Sequence, residues 1–505
     1  MSLNPKWTPM RWRCGPLATE RPDAAGKPVF STDSALQKTA DKWTDPAMLD
    51  LLEGTSINCL VVDWAIGSKA DETQQWLLLP LIAAGRRKGL SFVGRVTVKD
   101  NLAAIATAGQ AAGLDALSLP DAVSAPLALP VISGYARDSV DWDHVTDTFA
   151  VTGNTWPGAV ARRFQRQSSP FSGHAEPAGP TGDPWVDSNG WLALLARGIA
   201  PGKRLWLEIE PKDAAKSLPA EQYCLAVADA RAGGCRWIID LDEPMRAGLA
   251  KHAPEAVAAW KQITAMEAFF DQHPQWAEGS SAGVLTVVSD FRGENASMSN
   301  EVLNLLQRQH VPFAIADRRL PLGPHIAAQR AVLWVDDAAP TAEQHTLLMQ
   351  YVTEGGLLIA PAYWGPKDIS SHQEDWLFNY DVYPVGKGRI VVANGGFSDP
   401  FQLDRDTHIL LGHENDPFRL YNPGTTSCFM ASDPSARKKV VQVLNYSAPQ
   451  PASYLTLWVH EPASGATLWS VDRSAPLKCV TEDGGSSFDL PPVAVYYAVE
   501  IERQA

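Results

Sequence analysis

The heptapeptide Arg204-Leu-Trp-Leu-Glu-Ile-Glu210 reads as a β-strand whose two faces differ in kind. Side chains alternate along a strand, so Leu205, Leu207 and Ile209 share one face and Trp206, Glu208 and Glu210 the other. The run Trp237-Ile-Ile-Asp-Leu-Asp242 does the same, setting Asp240 and Asp242 opposite Trp237, Ile239 and Leu241. In a closed barrel both faces of every strand are covered, so strands that serve only the fold are apolar on both sides. These two are not, and their polar face must be an interior with work for charge.

Outward from this pair, residues 9 to about 270 alternate short apolar runs with helical patterns, as βα units around a parallel sheet do. Strands are predicted at Met10–Cys14, Asn58–Trp64, Ser91–Val98, Asp115–Leu119, Leu129–Ser133, Thr148–Gly153, Arg204–Glu210 and Arg236–Leu241. Helices are predicted at Gln74–Lys88, Leu102–Ala112, Gly190–Ile199 and Ala220–Ala232. Eight strands over this length predict a (β/α)8 TIM barrel, assigned here to residues 1–275.

The same period-two reading turns Asp63, Arg95, Thr97, Arg11, Arg13, Thr152 and Asn154 inward. Buried unpaired charge costs several kcal/mol per ion, so such a set must be paired or hydrated. Glu208, Asp240, Arg13 and Arg95 fall one layer below the strand ends, where an ion-pair network is expected. Glu210, Asp242 and Asp63 fall at the C-terminal ends, where barrel enzymes hold their chemistry, and are the candidate catalytic carboxylates. The alternative for each is a pairing or capping role. Candidate substrate-binding residues are Arg95, Trp64, Asn154 and Trp156 of Thr152-Gly-Asn-Thr-Trp-Pro157, and Trp185, Asp187 and Asn189 of Pro184-Trp-Val-Asp-Ser-Asn-Gly-Trp191. Asp187 or Ser188 could equally cap the helix that follows. The Pro-, Gly- and Ser-rich insert from Gly158 to Asp187 reads as a loop over the sixth strand.

A second βα pattern begins at Val284. VLTVVSD precedes a helix at Ser299–Gln309, then VPFAIAD, AVLWVDD, a helix at Ala342–Glu354, GGLLIAP and RIVVA. This predicts a flavodoxin-like α/β domain over residues 280–420. From Tyr421, KKVVQVLNYS, YLTLWVH, ATLWSV and AVYYAVEI predict a small C-terminal β-sandwich over residues 421–505.

The 505 residues carry 43 basic and 57 acidic side chains, a formal charge of −14 that repels nucleic acid and anionic membrane. No window approaches the apolar length of a transmembrane helix, so no membrane insertion is expected. Tryptophan is abundant, 18 against 15 Phe and 11 Tyr, which suits either core packing or stacking on sugar rings. Six cysteines without CxxC spacing exclude a zinc ribbon and a thioredoxin motif, and they are too sparse for a disulfide scaffold. HExxH, paired HxH and a Gly-rich dinucleotide loop are missing, so no metal and no cofactor is expected. The opening MSLNPKWTP lacks a leader pattern; it reads as cytoplasmic as written, periplasmic or secreted if a leader preceded it.

In this order of parts the chain resembles bacterial β-galactosidases that carry a trimerisation domain after the catalytic barrel. The stretch SDFRGENASMSNEVLNLLQRQHVPFAI resembles that trimerisation domain, related in fold to class I glutamine amidotransferases. TGNTWPG, GDPWVDSNGW, PGKRLWLEIEP and RWIIDLDEP resemble bacterial glycoside-hydrolase-like proteins. The resemblance implies a carbohydrate substrate, a trimeric homo-oligomer and a nucleophile at the end of strand seven, which falls on Glu210. It also implies an acid/base Glu after Asn at the end of strand four. Here strand four ends SLPDA, so Asp121, Asp242 or Asp63 would supply the second carboxylate. Residues 284–395 hold no cysteine and so lack an amidotransferase nucleophile.

Three functions therefore compete. The first is hydrolysis of an O-glycosidic bond with Glu210 as nucleophile or base. The second is non-hydrolytic carbohydrate binding or assembly on a barrel that has lost a carboxylate. The third is a polysaccharide lyase whose inward Arg11, Arg13 and Arg95 hold a uronate.

Overall fold

The computed structural model describes residues 6–22, 28–30, 33–120, 126–153, 155–160, 185–211, 216–278, 280–281, 283–364, 366, 370–372, 379–394, 397, 399–432, 437–482 and 484–504. The contacts divide the chain into two compact units.

The first unit spans Met1–Trp156, Gly202–Arg231 and Cys235–Pro274. Its parallel sheet runs through β1 (Pro9–Arg11), β2 (Cys59–Ala65), β3 (Ser91–Val96), β4 (Ala116–Pro120), β5 (Val131–Ala136), β6 (Thr148–Thr152), β7 (Arg204–Glu208) and β8 (Arg236–Trp237), each paired with its neighbour in chain order. The ends of the sheet meet where Arg11 N donates to Ile239 O at 2.8 Å and Ile239 N to Pro9 O at 3.0 Å. This is a nearly closed TIM-type barrel, with strands at all eight expected places.

The barrel is filled by inward side chains that stack in layers, each layer drawn from alternate strands. Val61, Val93, Ala116, Ile132, Ala150, Trp206 and Ile238 form an apolar layer, with Trp7 and Cys59 in the same cluster. Trp206 thus faces inward as the period required, and Glu208 and Glu210 follow it toward the C-terminal end. Outside, helices Asp71–Arg87, Leu102–Ala112 and Ala220–Gly233 stand where helical periodicity placed them. Gly94 and Gly109 let the Leu102–Ala112 helix approach closely: a Cβ at Gly94 would meet Leu114 at 2.6 Å, and one at Gly109 would meet it at 3.0 Å.

The second unit spans Pro157–Pro201, Ala232–Gly234 and Gln275–Ala505. It holds a six-stranded sheet of β9 (Leu285–Ser289), β10 (Phe313–Asp317), β11 (Ala331–Trp334), β12 (Leu357–Ala360), β13 (Tyr380–Val385) and β14 (Gly388–Ala393). The order is β10-β9-β11-β12-β14-β13, parallel except for the antiparallel edge strand β13. β13 was not legible in sequence: Pro384 and mixed polarity suit an edge strand and give weak alternation. Helix Gly293–Arg308 starts six residues before the predicted Ser299, because Gly293-Glu-Asn-Ala-Ser-Met298 carries little apolar periodicity. Helix Gly190–Ile199, expected from chain order among the barrel helices, belongs to this unit and lies on β10, where Gly198 abuts Ile315.

Two antiparallel sheets complete this unit. One joins β15 (Phe418–Tyr421), β18 (Thr456–Val459), β21 (Val480–Glu482) and β22 (Gly485–Asp489). The other runs through β16 (Thr426–Ser432), β17 (Lys438–Asn445), β23 (Tyr496–Arg503), β19 (Ala463–Trp469) and β20 (Ser474–Leu477). Leu420, Leu457, Phe488, Val441, Val499 and Leu468 belong to one shared core.

Candidate active site

At the C-terminal end of the barrel the apolar layer gives way to charge. Asp63 and Arg95 are register partners on β2 and β3. Asp63 Oδ1 accepts from Arg11 Nη2 at 2.5 Å and lies 3.4 Å from Arg95 Nη1. Arg95 Nε lies 3.5 Å from Glu208 Oε1. Across the barrel, Arg13 binds Asp240 through Nη2 at 2.5 Å and Nε at 2.9 Å, and its Nη2 also lies 2.7 Å from Glu210 Oε1. Every inward arginine therefore faces at least one carboxylate, as the cost of unpaired buried charge demands.

Depth sorts these groups. Side-chain exposure is 9% for Asp63, 5% for Asp240, 16% for Glu208 and 59% for Glu210. Burial alone would raise the Asp63 and Glu210 pKa values. For Asp63 it is outweighed by Arg11, Arg95 and Arg13, and for Glu210 by Arg13, Arg11 and Arg95, so both carboxyls lie below their ordinary range. Burial likewise opposes the Arg95 charge, and Glu208, Asp63 and Glu210 overcome it. Glu210 is thus an ionised, solvent-facing carboxylate steadied by one guanidinium. Asp63, expected at the rim, lies in the buried network instead, held by Arg11 and Arg95.

Asp242 has a different job. Its Oδ1 accepts from Met245 N at 2.7 Å, capping helix Glu243–Ala250. Its Oδ2 accepts from Tyr223 Oη at 2.7 Å and Leu218 N at 2.8 Å, and the residue is 4% exposed. The inward alternation stops at Asp240, because β8 is only two residues long and the chain then turns into the helix. Tyr223, which anchors this cap, carried no signal in sequence beyond an aromatic on a helix. Trp64 is buried at a break in the β2–β3 register, with its Cβ against Gly94 and its indole against Gly109, on the helix side of the sheet. It is a core residue.

Trp156 is half-buried, with its ring edge-on to Trp237 at 5.6 Å and Tyr223 at 5.8 Å. Trp237 in turn donates from Nε1 to Ile209 O at 3.2 Å, beside Glu210. Asp187 and Asn189 belong to the second unit. Asp187 pairs in register with Gly158, and the buried Asn189 is the N-cap residue of helix Gly190–Ile199 without a side-chain cap bond. Ser188 Oγ has no hydrogen-bond partner among the described residues, so Ser188 does not cap the helix. Trp185 pairs in register with Val160. Asn154, Asp121 and residues 161–184 of the long insert lie outside the described residues.

All six cysteines are free, and burial pushes the Cys14 and Cys224 thiols up to about 12. Most indoles, including Trp12, Trp43, Trp237 and Trp334, are buried, so core packing accounts for most of the tryptophan excess. No helix among the described residues is long and apolar enough to cross a membrane.

Comparison with known proteins gives a fold class. No protein-family model matches the sequence, and no curated protein matches it either. Among solved structures, the chain is similar to α-L-fucosidase isoenzyme 2 from Paenibacillus thiaminolyticus, with a TM-score of 0.58 and 9% identity over 92% of this chain and 96% of that one. It is also similar to a catalytic mutant of Gan42B, a GH42 β-galactosidase from G. stearothermophilus, with a TM-score of 0.53 and 10% identity over 91% and 95% of the two chains. The chain therefore has the fold of barrel glycoside hydrolases, with C-terminal antiparallel sheets.

Proposed function

We propose that this protein is a glycoside hydrolase that cleaves an O-glycosidic bond of an oligo- or polysaccharide at the C-terminal mouth of its barrel. Glu210 serves as nucleophile or base. The observation that carries this reading is the contrast between Glu210 and its neighbours. Among the described inward carboxylates it alone is more than half exposed, and Arg13 holds it ionised. An ionised carboxylate at that place can attack an anomeric carbon or activate water; it cannot donate the proton that a leaving group needs. The acid is therefore another residue, and Asp242 and Asp63 are both engaged in structural bonds. That engagement favours the second reading, carbohydrate binding without turnover. The lyase reading is weaker, because Arg11 and Arg13 are already held by Asp63, Asp240 and Glu210.

Product release from a panel of oligosaccharides tests the proposal, with α-L-fucosides and β-galactosides included because the structural neighbours act on them by name. Turnover by wild type and its loss in Glu210→Gln supports hydrolysis. Saturable binding with no turnover supports the second reading, and an unsaturated product absorbing in the near ultraviolet supports the third. A trimer is the assembly implied by resemblance to the β-galactosidases, and light scattering on the purified chain tests it.

A further inference from the structure

In the second unit, helix Pro400–Leu411 ends at Gly412, whose φ of +74° turns the chain into the short turn His413–Asn415. A left-handed turn of this kind favours glycine. It brings His413 to the same side as His408 of the helix, with Asp416 next in the chain. His408 Nε2 lies 3.3 Å from Asp416 Oδ1, and His413 Nδ1 lies 3.0 Å from Asp416 Oδ2. The two imidazoles meet edge to face with centroids 5.1 Å apart. One donor atom from each of the three residues falls within 4.8 Å of the others. We infer that His408, His413 and Asp416 form a binding site for one divalent transition-metal ion, best matched by Zn2+.

Spacing supports the inference. Tetrahedral zinc with bonds of about 2.0–2.1 Å sets its ligand atoms about 3.3 Å apart. The two measured N···O separations, 3.3 Å to Oδ1 and 3.0 Å to Oδ2, are of that size, and the three ligand atoms lie within 4.8 Å of one another, so one ion is reached by rotating the carboxylate to present a single oxygen to both imidazoles. Two imidazoles with one carboxylate are a borderline donor set, which suits Zn2+ better than Mg2+ or Ca2+, whose sites are built from oxygen. His413 is 73% exposed, which leaves a fourth position to water.

The surroundings fix the carboxylate. Arg419 Nε lies 3.1 Å from Asp416 Oδ2, its guanidinium stands 4.8 Å from the Trp458 ring centroid, and it also donates to the His413 carbonyl. An outer partner of this kind orients a ligating carboxylate. Its charge also opposes a second cation, so weaker binding than that of an all-thiolate site is expected. His310, close to His408, contacts the Thr426 carbonyl through Nε2 at 3.1 Å and is not part of the set. The spacing His-x4-His-x2-Asp matches no standard zinc motif, so sequence inspection passes over it. The rival explanation is a metal-free hydrogen-bonded cluster that pins the helix end to β15.

The test uses the full chain after chelator treatment. It is titrated with ZnCl2 by calorimetry and with CoCl2 by visible absorption, a probe of tetrahedral geometry. The expected result is one equivalent bound, a tetrahedral Co2+ spectrum and a rise in Tm on adding zinc. His413→Ala changes an exposed side chain and should preserve the fold. It should weaken binding by about tenfold or more, while His144→Ala, an exposed histidine of the barrel unit, should not. Absence of binding, or binding that His413→Ala leaves unchanged, overturns the inference. Because none of these three readouts uses sugar turnover, the result is independent of Glu210.

Discussion

Arg13 Nη2 stands 2.7 Å from Glu210 and 2.5 Å from Asp240, so one guanidinium joins the exposed carboxylate at the barrel mouth to a buried one below it. The Glu210 carboxyl lies below its ordinary range because Arg13, with Arg11 and Arg95, outweighs the effect of burial. A depressed carboxyl is ionised above its pKa and is lost as nucleophile or base when pH falls through it. Arg13→Lys keeps the charge and removes the fork that serves both partners. The expected outcome is an acid limb of kcat/KM that moves to higher pH, with a lower Tm. A limb that stays in place would show that Glu210 is not the titrating group.

The Arg11–Asp63 pair is a structural charge pair, and it makes a sharper prediction about stability. Arg11 gives Asp63 one bond at 2.5 Å, while its Nε and Nη1 have no hydrogen-bond partner among the described residues. Removing one partner strands the other, at a cost of about 3–5 kcal/mol. Asp63→Leu alone should therefore lower urea-unfolding stability by about that amount. The double variant Arg11→Met/Asp63→Leu should recover most of it, since two apolar side chains need no solvation. Additive losses in the double variant would refute this account of the pair.

Asp242 should prove a fold residue. Asp242→Ala loses the cap on Met245 N and leaves Tyr223 Oη and Leu218 N without their acceptor. The cap alone is worth about 1 kcal/mol, and each orphaned buried donor adds about 1–3 kcal/mol. Thermal denaturation should show a clear loss of stability. The kcat of the folded fraction on any confirmed substrate should match wild type. A loss of kcat as deep as that of Glu210→Gln would restore Asp242 to the catalytic pair.

How much of this could be read from sequence depended on whether a residue's role was set by period or by level. Period two placed Trp206, Glu208 and Glu210 inward, and they are inward, because an eight-stranded barrel covers both strand faces and alternation is its only degree of freedom. The buried ion-pair layer of Arg13, Arg95, Glu208 and Asp240 followed from the same alternation. Level was harder to read. Asp63 sits deeper than its place in the run suggested, because its pairing with the buried Arg11 is a tertiary fact. Asp242 left the strand pattern when β8 ended early and a helix needed its cap. Helix Gly190–Ile199 had the right bounds in sequence, yet only three-dimensional packing assigns it to the second unit. Among the described residues, the cluster of His408, His413 and Asp416 depends on a left-handed turn at Gly412 that side-chain periodicity does not reveal.

Asp404 offers a pH test within the second unit. It lies on helix Pro400–Leu411, fully buried where that helix packs on helix Gly293–Arg308. Gln309 Nε2 donates to its Oδ2, while its Oδ1 has no hydrogen-bond partner among the described residues. Burial pushes its pKa from 3.8 up to about 8, against the opposing pull of Arg308 and Gln309. Between those values the folded state holds a proton that the unfolded chain has released. Stability is therefore greatest below the unfolded pKa and is lost as pH rises toward 8. Asp404→Asn keeps an oxygen acceptor for Gln309 and removes the titration. It should be close to wild type at about pH 4 and more stable by a few kcal/mol at about pH 9. The check is Tm against pH for both proteins. Parallel curves would mean that the carboxyl at Asp404 does not hold its proton in the folded chain.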